Sequence, residues 1–434
     1  MPISFNLAYN SLVVDQEGIA GKAWSLNYDF AARIQPADNE AVNVEWAENR
    51  TNRFNHDGGG VYSSLDQACL YDKLVKNSDN TYTLTRQDKT VYYFDAAGRL
   101  IEIRDGQGRA LQFSYDSSDR LNRITEPVSG VFLEYAYNAS GLLKSVSDPI
   151  GRQVSLSYDT DRRLTSITDP YEHTISFTWN DQDQILTGTS SEGYQLFANT
   201  FDAQGRVVAQ DDGLPDNKEA TLTYDETQPD RIITAVTDRN GAATKYTFDS
   251  QYRMLEKIDQ LGNASAVYSY DAKGNRTQAV DANGHGSSFA YDAEGNMISV
   301  TDADGKVTAM SYDANNSLTQ LTDALGKTSS FSYDSQGRIT QAVDPLGKAA
   351  AFSYNSDGQL IAVTSPLGRV VKYEYTGGLP TKVIRPEGNS EEMRYDAAGR
   401  VTAVLDSEGN TTTFNHDLPC SGTSGPCRAS SIDH

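Results

Sequence analysis

From Phe94 to Phe414 an aromatic residue, in most copies followed by Asp or Asn, returns about every 21 residues. A chain copied from so short a unit folds as an array in which each unit leans on its neighbours. The anchors are Phe94, Tyr115, Tyr137, Tyr158, Trp179, Phe201, Tyr224, Phe248, Tyr270, Tyr291, Tyr312, Tyr333, Tyr354, Tyr375, Tyr395 and Phe414. Spacing is a regular 21 from Tyr270 to Tyr375 and looser earlier, where the chain carries insertions.

One copy, Lys306 to Gly326, reads KVTAMSYDANNSLTQLTDALG: two extended runs, each followed by turn-forming residues. Each copy is therefore expected to be a two-stranded hairpin. Asp or Asn follows the anchor and Gly stands three residues later in many copies, among them Gly98, Gly274 and Gly358. That order suits a type I turn closed by a left-handed residue. Asp119, Asp183 and Asn316 replace that Gly tolerably, whereas Arg162 and Tyr252 are poor at positive φ. The second turn is D-x-x-G in nine copies, opened by residues such as Asp105, Asp323 and Asp344.

An apolar residue two positions before the anchor (Phe113, Phe289, Phe331, Phe352) shares the anchor's face, and a small or polar residue lies between the two. The sheet is expected to be two-faced. In the second strand the apolar spacing is three, as in Leu121 to Ile124 and Leu318 to Leu321, which implies a bulge.

Some thirty-two strands at ~4.8 Å would make a flat sheet on the order of 150 Å wide, while open twisted sheets rarely exceed about ten strands. The array must curl. A propeller with two repeats per blade, a β-solenoid with one coil per repeat and a hairpin ribbon spiralling into a hollow shell all satisfy this. No odd-even alternation marks blades, and two turns per repeat favour a hairpin over a solenoid coil. The expected fold is all-β: a ribbon of ~21-residue hairpins curling into a hollow, incomplete spiral shell.

Thirty-seven basic against 59 acidic residues leave a net charge of -22, which repels phosphate backbones and anionic lipid. Nucleic-acid partners are not expected. No run of 18 apolar residues or leader-like start occurs, so neither a membrane span nor a signal peptide is expected in this sequence. Three cysteines, Cys69, Cys420 and Cys427, exclude a disulfide scaffold, although the last two are close enough to close a small loop.

Residues 1–82 lie outside the period and are expected to be a β-rich cap on the first strand edge of the array at 83–417. The Ser-, Gly- and Pro-rich stretch 418–434 is expected to be disordered.

FDAAGRL from Phe94, YDSQGRI from Tyr333 with DPLG from Asp344, and YDAAGRV from Tyr395 resemble the Rhs or YD-repeat family, whose unit reads Y-D-x-x-G-R-L followed by D-P-x-G. The stretch GKAWSLNYDF is similar to the segment preceding the repeats in that family, so the resemblance covers nearly the whole chain. It implies a hairpin ribbon wound into a cocoon, as in bacterial Rhs toxins, insecticidal toxin complexes and teneurins. It also implies a secreted or cell-surface setting and a polypeptide cargo or toxin held inside. The family's core motif, D-P-x-G-L-x-G-G, is broken here by Lys348 after Gly347. The expectation is a partial shell with neither the self-cleaving core nor the effector, completed by the rest of a longer protein.

No catalytic, cofactor-binding or metal-binding residue is expected. His56, His173, His285, His416 and His434 stand singly, and Asp302, Asp304 and Gly305 mimic only the start of a calcium loop. Asp344-Pro345 has equivalents at Asp148-Pro149 and Asp169-Pro170, which marks it as turn chemistry. The fourteen anchors Phe94, Tyr115, Tyr137, Tyr158, Trp179, Tyr224, Phe248, Tyr270, Tyr291, Tyr312, Tyr333, Tyr354, Tyr375 and Tyr395 are assigned a structural role. A surface adhesin that stacks sugars or a partner protein on the tyrosine ladder is the alternative, weaker because regular i, i+2 aromatics are what sheet packing itself requires.

Overall fold

The structure, a computed structural model, describes residues 3–26, 32–46, 50–214 and 218–416. The expected disordered tail and a Cys420 to Cys427 loop fall outside the described residues. From Arg33–Pro36 to Thr411–Thr413, 37 strands form one antiparallel sheet in which every strand pairs with its neighbours in sequence. Among the described residues no ladder joins the last strand to the first; Arg33 makes only an isolated bridge to Arg99. The sheet is an open ribbon, which rules out blades and parallel solenoid coils.

The turns follow from the sequence. At Asp95 the carbonyl accepts from the Gly98 amide at 3.0 Å and the Asp95 amide donates to Arg99 O at 2.9 Å. The carboxylate holds the turn shut: Oδ1 accepts from the amides of Ala97 and Arg99, and Oδ2 from Arg99 Nε at 2.7 Å. The same carboxylate–guanidinium clasp recurs at Asp116–Arg120, Asp159–Arg163, Asp249–Arg253, Asp334–Arg338 and Asp396–Arg400. The inferred bulge is present: Tyr312 pairs with Leu318 and Ser311 with Gln320, so Thr319 is the extra residue and Leu318 and Leu321 share the anchor's face.

Arg162 and Tyr252 adopt the left-handed conformation their turns demand, at φ of 65° and 61°. A β-carbon there costs about 1–2 kcal/mol. Arg162 recovers part of this through Glu17, but Tyr252 is largely exposed. Tyr252→Gly is therefore expected to stabilise the protein by about 0.5–1 kcal/mol, the relieved strain exceeding glycine's extra chain entropy. Urea denaturation of the two proteins measures it; an equal or lower midpoint for the variant contradicts the argument.

The ribbon returns on itself. Gln67 Nε2 donates to Ala272 O at 3.2 Å, 205 residues away, and Gln87 Nε2 to Glu294 O at 3.3 Å, 207 away. Lys89 Nζ reaches Ser317 Oγ at 2.7 Å across 228 residues, and Tyr171 Oη reaches His416 O across 245. One coil thus takes about ten to twelve hairpins. Twenty strands at ~4.8 Å give a circumference of about 95 Å and a diameter of roughly 30 Å, whereas packed side chains fill about 10 Å between sheets. Space remains inside the coil.

Residues 3–26 and 32–46, the latter bearing the first two strands of the ribbon, occupy part of it. Ile3, Leu26, Ile34, Val42, Val44 and Trp46 are buried against Phe54, Leu74, Leu84, Phe94, Ile103, Phe113, Ile124, Tyr135 and Leu164, all on the anchor-bearing face of the first coil. Trp46 meets Tyr92 edge-on at 5.5 Å, Phe5 meets Tyr135 at 6.4 Å and Tyr9 meets Trp179 at 5.7 Å. Ile3 also borders a cleft shared with Tyr333, Tyr354 and Tyr375 of the second coil. A segment flanked by anchors of both coils fixes the anchor face as the inner one.

Candidate functional site: the lining face and the coil seam

The tyrosine anchors and Trp179 are each held by the preceding repeat. Tyr115 Oη donates to Leu100 O at 2.7 Å, and the same bond links Tyr137 to Leu121, Tyr158 to Leu143, Tyr224 to Val207 and Tyr270 to Met254. It continues at Tyr291, Tyr312, Tyr333, Tyr354, Tyr375 and Tyr395. Trp179 donates through Nε1 to Leu164 O at 2.9 Å. Phe94 and Phe248 have no such donor; Phe94 is buried and Phe248 lies beside Tyr246 at 6.5 Å. At Phe201 the bond is supplied by Asn199 Nδ2 to Ile185 O at 3.1 Å.

The carbonyl accepted in each case is that of the bulge-flanking residue, so the hydroxyl satisfies a group the bulge leaves unpaired in the ladder. Clasp arginines stack over the following anchor, Arg120 over Tyr137 at 4.5 Å and Arg338 over Tyr354 at 4.8 Å. One motif thus closes its turn and steadies the next hairpin.

The last copy differs from expectation. The bond that marks an anchor is made not at Phe414 but at His416, whose Nε2 meets Val401 O at 2.6 Å, fifteen residues back. His416 lies 21 residues after Tyr395 and precedes Asp417, so the period and the aromatic–Asp pair both pointed to it. Phe414 occupies the place two residues earlier that Phe352 has in its own copy.

The lining changes character between coils. In the first coil the residues of the inner face, Phe113, Ile124, Leu133, Tyr135 and Val146, are buried under the N-terminal segment. In the second coil the corresponding pairs are Phe289 with Val300, Met310 with Leu321, Phe331 with Ala342, Phe352 with Val363, Tyr373 with Val383 and Met393 with Val404. All are only half-buried. Charge gathers elsewhere, in turn clasps and in pairs on the other face such as Arg123–Glu134 and Lys382–Glu392. The second coil therefore presents an apolar, aromatic inner wall. Where the N-terminal segment ends, a cleft of about 780 Å³ opens between Tyr9, Trp24, Phe177, Phe197, Ile232 and Phe248.

The seam between coils joins two kinds of rim. Turns that follow the anchors in the second coil rest on second turns of the first. Gly378 sits so close to Val128 that a β-carbon would lie 2.4 Å from its carbonyl. Asp313 has Ser317 where other copies have the clasp arginine, and Lys89 from the first coil supplies the missing cation, its ammonium near Asp313 and over the Tyr333 ring. Under the first coil the same kind of rim is covered by the N-terminal segment: Ile34 N donates to Gly98 O at 2.8 Å, Ser11 Oγ to Gly205 O at 2.8 Å, and Lys22 pairs with Asp183.

Among the described residues no cluster of three or more His, Cys, Asp or Glu side chains is placed to hold a metal, and no helix is long and apolar enough to cross a membrane. Cys69 is buried and its thiol pushed up to about 11 by desolvation, which leaves it unreactive as a nucleophile.

The teneurin YD-shell family matches residues 61–264, 215–325 and 309–420. No curated protein matches the sequence. Among solved structures, a crystal structure of TcdB2-TccC3 is 13% identical with a TM-score of 0.53, covering 86% of this chain and 24% of that one. A second, of TcdB2-TccC3 without its hypervariable C-terminal region, is 14% identical with a TM-score of 0.50, covering 90% and 25%. At these identities the likeness is one of fold, and this chain spans about a quarter of the chains it resembles.

Proposed function

The chain belongs to the teneurin YD-shell family and is a segment of a structural Rhs-type shell, and we propose that its task is to enclose a polypeptide cargo within the coil. The observation that carries this reading is the apolar inner wall of the second coil, left uncovered while the same face of the first coil is covered by residues 3–26 and 32–46. A wall of this kind suits chain segments that expose apolar side chains, as unfolded polypeptide does, and its distance from the acidic surface keeps such segments out of water. In this reading residues 1–82 start and cap the coil, residues 83–417 build its wall, the aromatic anchors are structural, and the protein performs no catalysis. By the same reading it works outside the cell or at its surface.

The adhesin alternative is the weaker one: anchor hydroxyls that a sugar would use as polar handles are committed to backbone carbonyls, and the rings face the inside.

The test uses the full chain with a short disordered probe peptide fused behind His434. Within the shell the probe is expected to be cleaved by a nonspecific protease at least tenfold more slowly than the free peptide, and a Phe289→Asp, Phe331→Asp, Phe352→Asp variant is expected to restore fast cleavage. Cleavage of the fused probe at the free rate would refute enclosure.

A further inference from the structure

On the inner face, the residue two before an anchor pairs across its hairpin with an apolar partner: Phe113 with Ile124, Phe289 with Val300, Phe352 with Val363. Two adjacent copies depart from this. Phe177 faces Gly188, and Phe197 of the following strand pairs with Gly188 from the other side, so the two rings meet over the glycine with centroids 6.5 Å apart. A β-carbon at Gly188 would come within 2.4 Å of the Phe197 ring. In the next copy the pair is Asn199 with Gln210, two amides where other copies place apolar side chains.

These departures shape the cleft of about 780 Å³. One side of it is a run of rings, Tyr9 to Trp24 to Phe177 to Phe197, with successive centroids 5.4, 5.8 and 6.5 Å apart, the separations of favourable edge and offset contacts. The run stops at Phe197, because position 199 carries an amide in place of an aromatic ring. Asn199 is spent: its Nδ2 donates to Ile185 O and its Oδ1 accepts from Gln210 Nε2. Gln210 is exposed, lines the cleft, and keeps its Oε1 without a partner among the described residues. Arg206 and Glu226, the charged residues of the lining, pair with each other at 2.8 Å. Leu12 and Tyr252, also of the lining, are 60% and 74% exposed, so the cleft is open to solvent.

We infer that this cleft is a binding site for a tyrosine side chain of a polypeptide lying along the inner wall: its ring extends the run beyond Phe197, and its hydroxyl donates to Gln210 Oε1. The chemistry of the lining selects this occupant. A carboxylate or an ammonium would be desolvated beside charges that already neutralise each other, with no counter-ion left for it. A sugar would bring several hydroxyls to a lining whose Ser11, Asn199 and Tyr224 groups are already committed to backbone carbonyls, and would leave most of them unpaired. An aliphatic side chain would fill the space but forgo both the ring contacts and the amide. The inference rests on the enclosure reading for the source of the polypeptide, but not for the cleft itself.

The experiment titrates the full chain with three free peptides, acetyl-Gly-Tyr-Gly-amide and its Phe and Leu counterparts, and reads tryptophan emission, to which Trp24 in the lining contributes. The tyrosyl peptide is expected to change the emission saturably and to bind about fivefold more tightly than the phenylalanyl peptide, as one net hydrogen bond supplies, with the leucyl peptide weaker still. Gln210→Leu changes an exposed residue to the apolar type that other copies carry there, and an unchanged thermal midpoint reports that it is folded. In that variant the tyrosyl and phenylalanyl affinities are expected to become about equal. No saturation by the tyrosyl peptide within its solubility, a leucyl affinity equal to the tyrosyl one, or a tyrosyl preference that survives Gln210→Leu would each overturn the inference. Saturable tyrosyl binding with free cleavage of the fused probe would leave the cleft standing and enclosure refuted. Protection of the fused probe without tyrosyl binding would do the reverse.

Discussion

Phe94→Ala is expected to destabilise the protein by about 3–5 kcal/mol, and Phe331→Ala by only about 1 kcal/mol, although both remove an aromatic ring from the inner face of one ribbon. Phe94 is fully buried among Leu84, Leu100 and the residues of the N-terminal segment. Its removal forfeits the transfer energy of the ring and leaves a cavity that neighbouring strands, tied by the ladder Tyr82–Thr85 to Val91–Phe94, cannot close. Phe331 pairs with Ala342 and already faces open space on one side, so its loss leaves no cavity. Guanidinium denaturation followed by tryptophan fluorescence measures both, since the three tryptophans lie in or against the first-coil core. Costs within about 0.5 kcal/mol of each other would mean the second coil is covered as fully as the first, contradicting an open wall.

The contrast also shows what a repeated sequence can and cannot reveal. The hairpin, its two turns, the bulge after Leu318 and the two-faced strand were legible because each is decided within 21 residues by backbone chemistry: a carboxylate that caps its own turn, a glycine where φ is positive, an apolar residue every second position. Coil closure is a different kind of property. It is the sum of small twists over some ten hairpins, and no local pattern distinguishes ten per coil from fifteen. The identity of the inner face and the seam partners followed only from the structure, and so did the covering of one coil but not the next.

Two signals were nevertheless present in the residues. Asn296 and Ser317 stand where other copies carry the clasp arginine, and both lie at the seam, where Asn316, Gln87 and Lys89 meet the same two turns. His416 keeps the 21-residue spacing that Phe414 breaks. In an array, a copy that departs from the consensus marks the place where the array touches something other than its next repeat.

The largest response to solution conditions is expected at alkaline pH. Burial pushes the Tyr115 hydroxyl up to about 12 against the pull of Arg99, and raises Tyr137 and Tyr158 likewise. The anchors of the second coil shift in the same direction for the same cause, for example Tyr312, Tyr333 and Tyr375. A phenol with a folded pKa above its ordinary value of about 10 holds its proton more tightly in the folded state. The stabilisation is present in full below pH ~10 and is lost as the pH rises from there through the folded value. For Tyr115 alone the two-unit shift corresponds to an upper bound of about 2.7 kcal/mol. Because each anchor also donates to a bulge carbonyl, ionisation removes the donor and leaves that carbonyl unpaired as well. Denaturation midpoints are therefore expected to be flat from pH 8 to about 10 and to fall steeply by pH 11.5, in step with tyrosinate absorbance. A Tyr115→Phe, Tyr137→Phe, Tyr158→Phe variant, which cannot ionise at these sites, is expected to start less stable at pH 8 and to lose less on titration. If that variant lost stability as steeply as the parent, general repulsion in this acidic protein, rather than the ladder of anchor hydroxyls, would be the cause, and added salt would rescue both proteins equally.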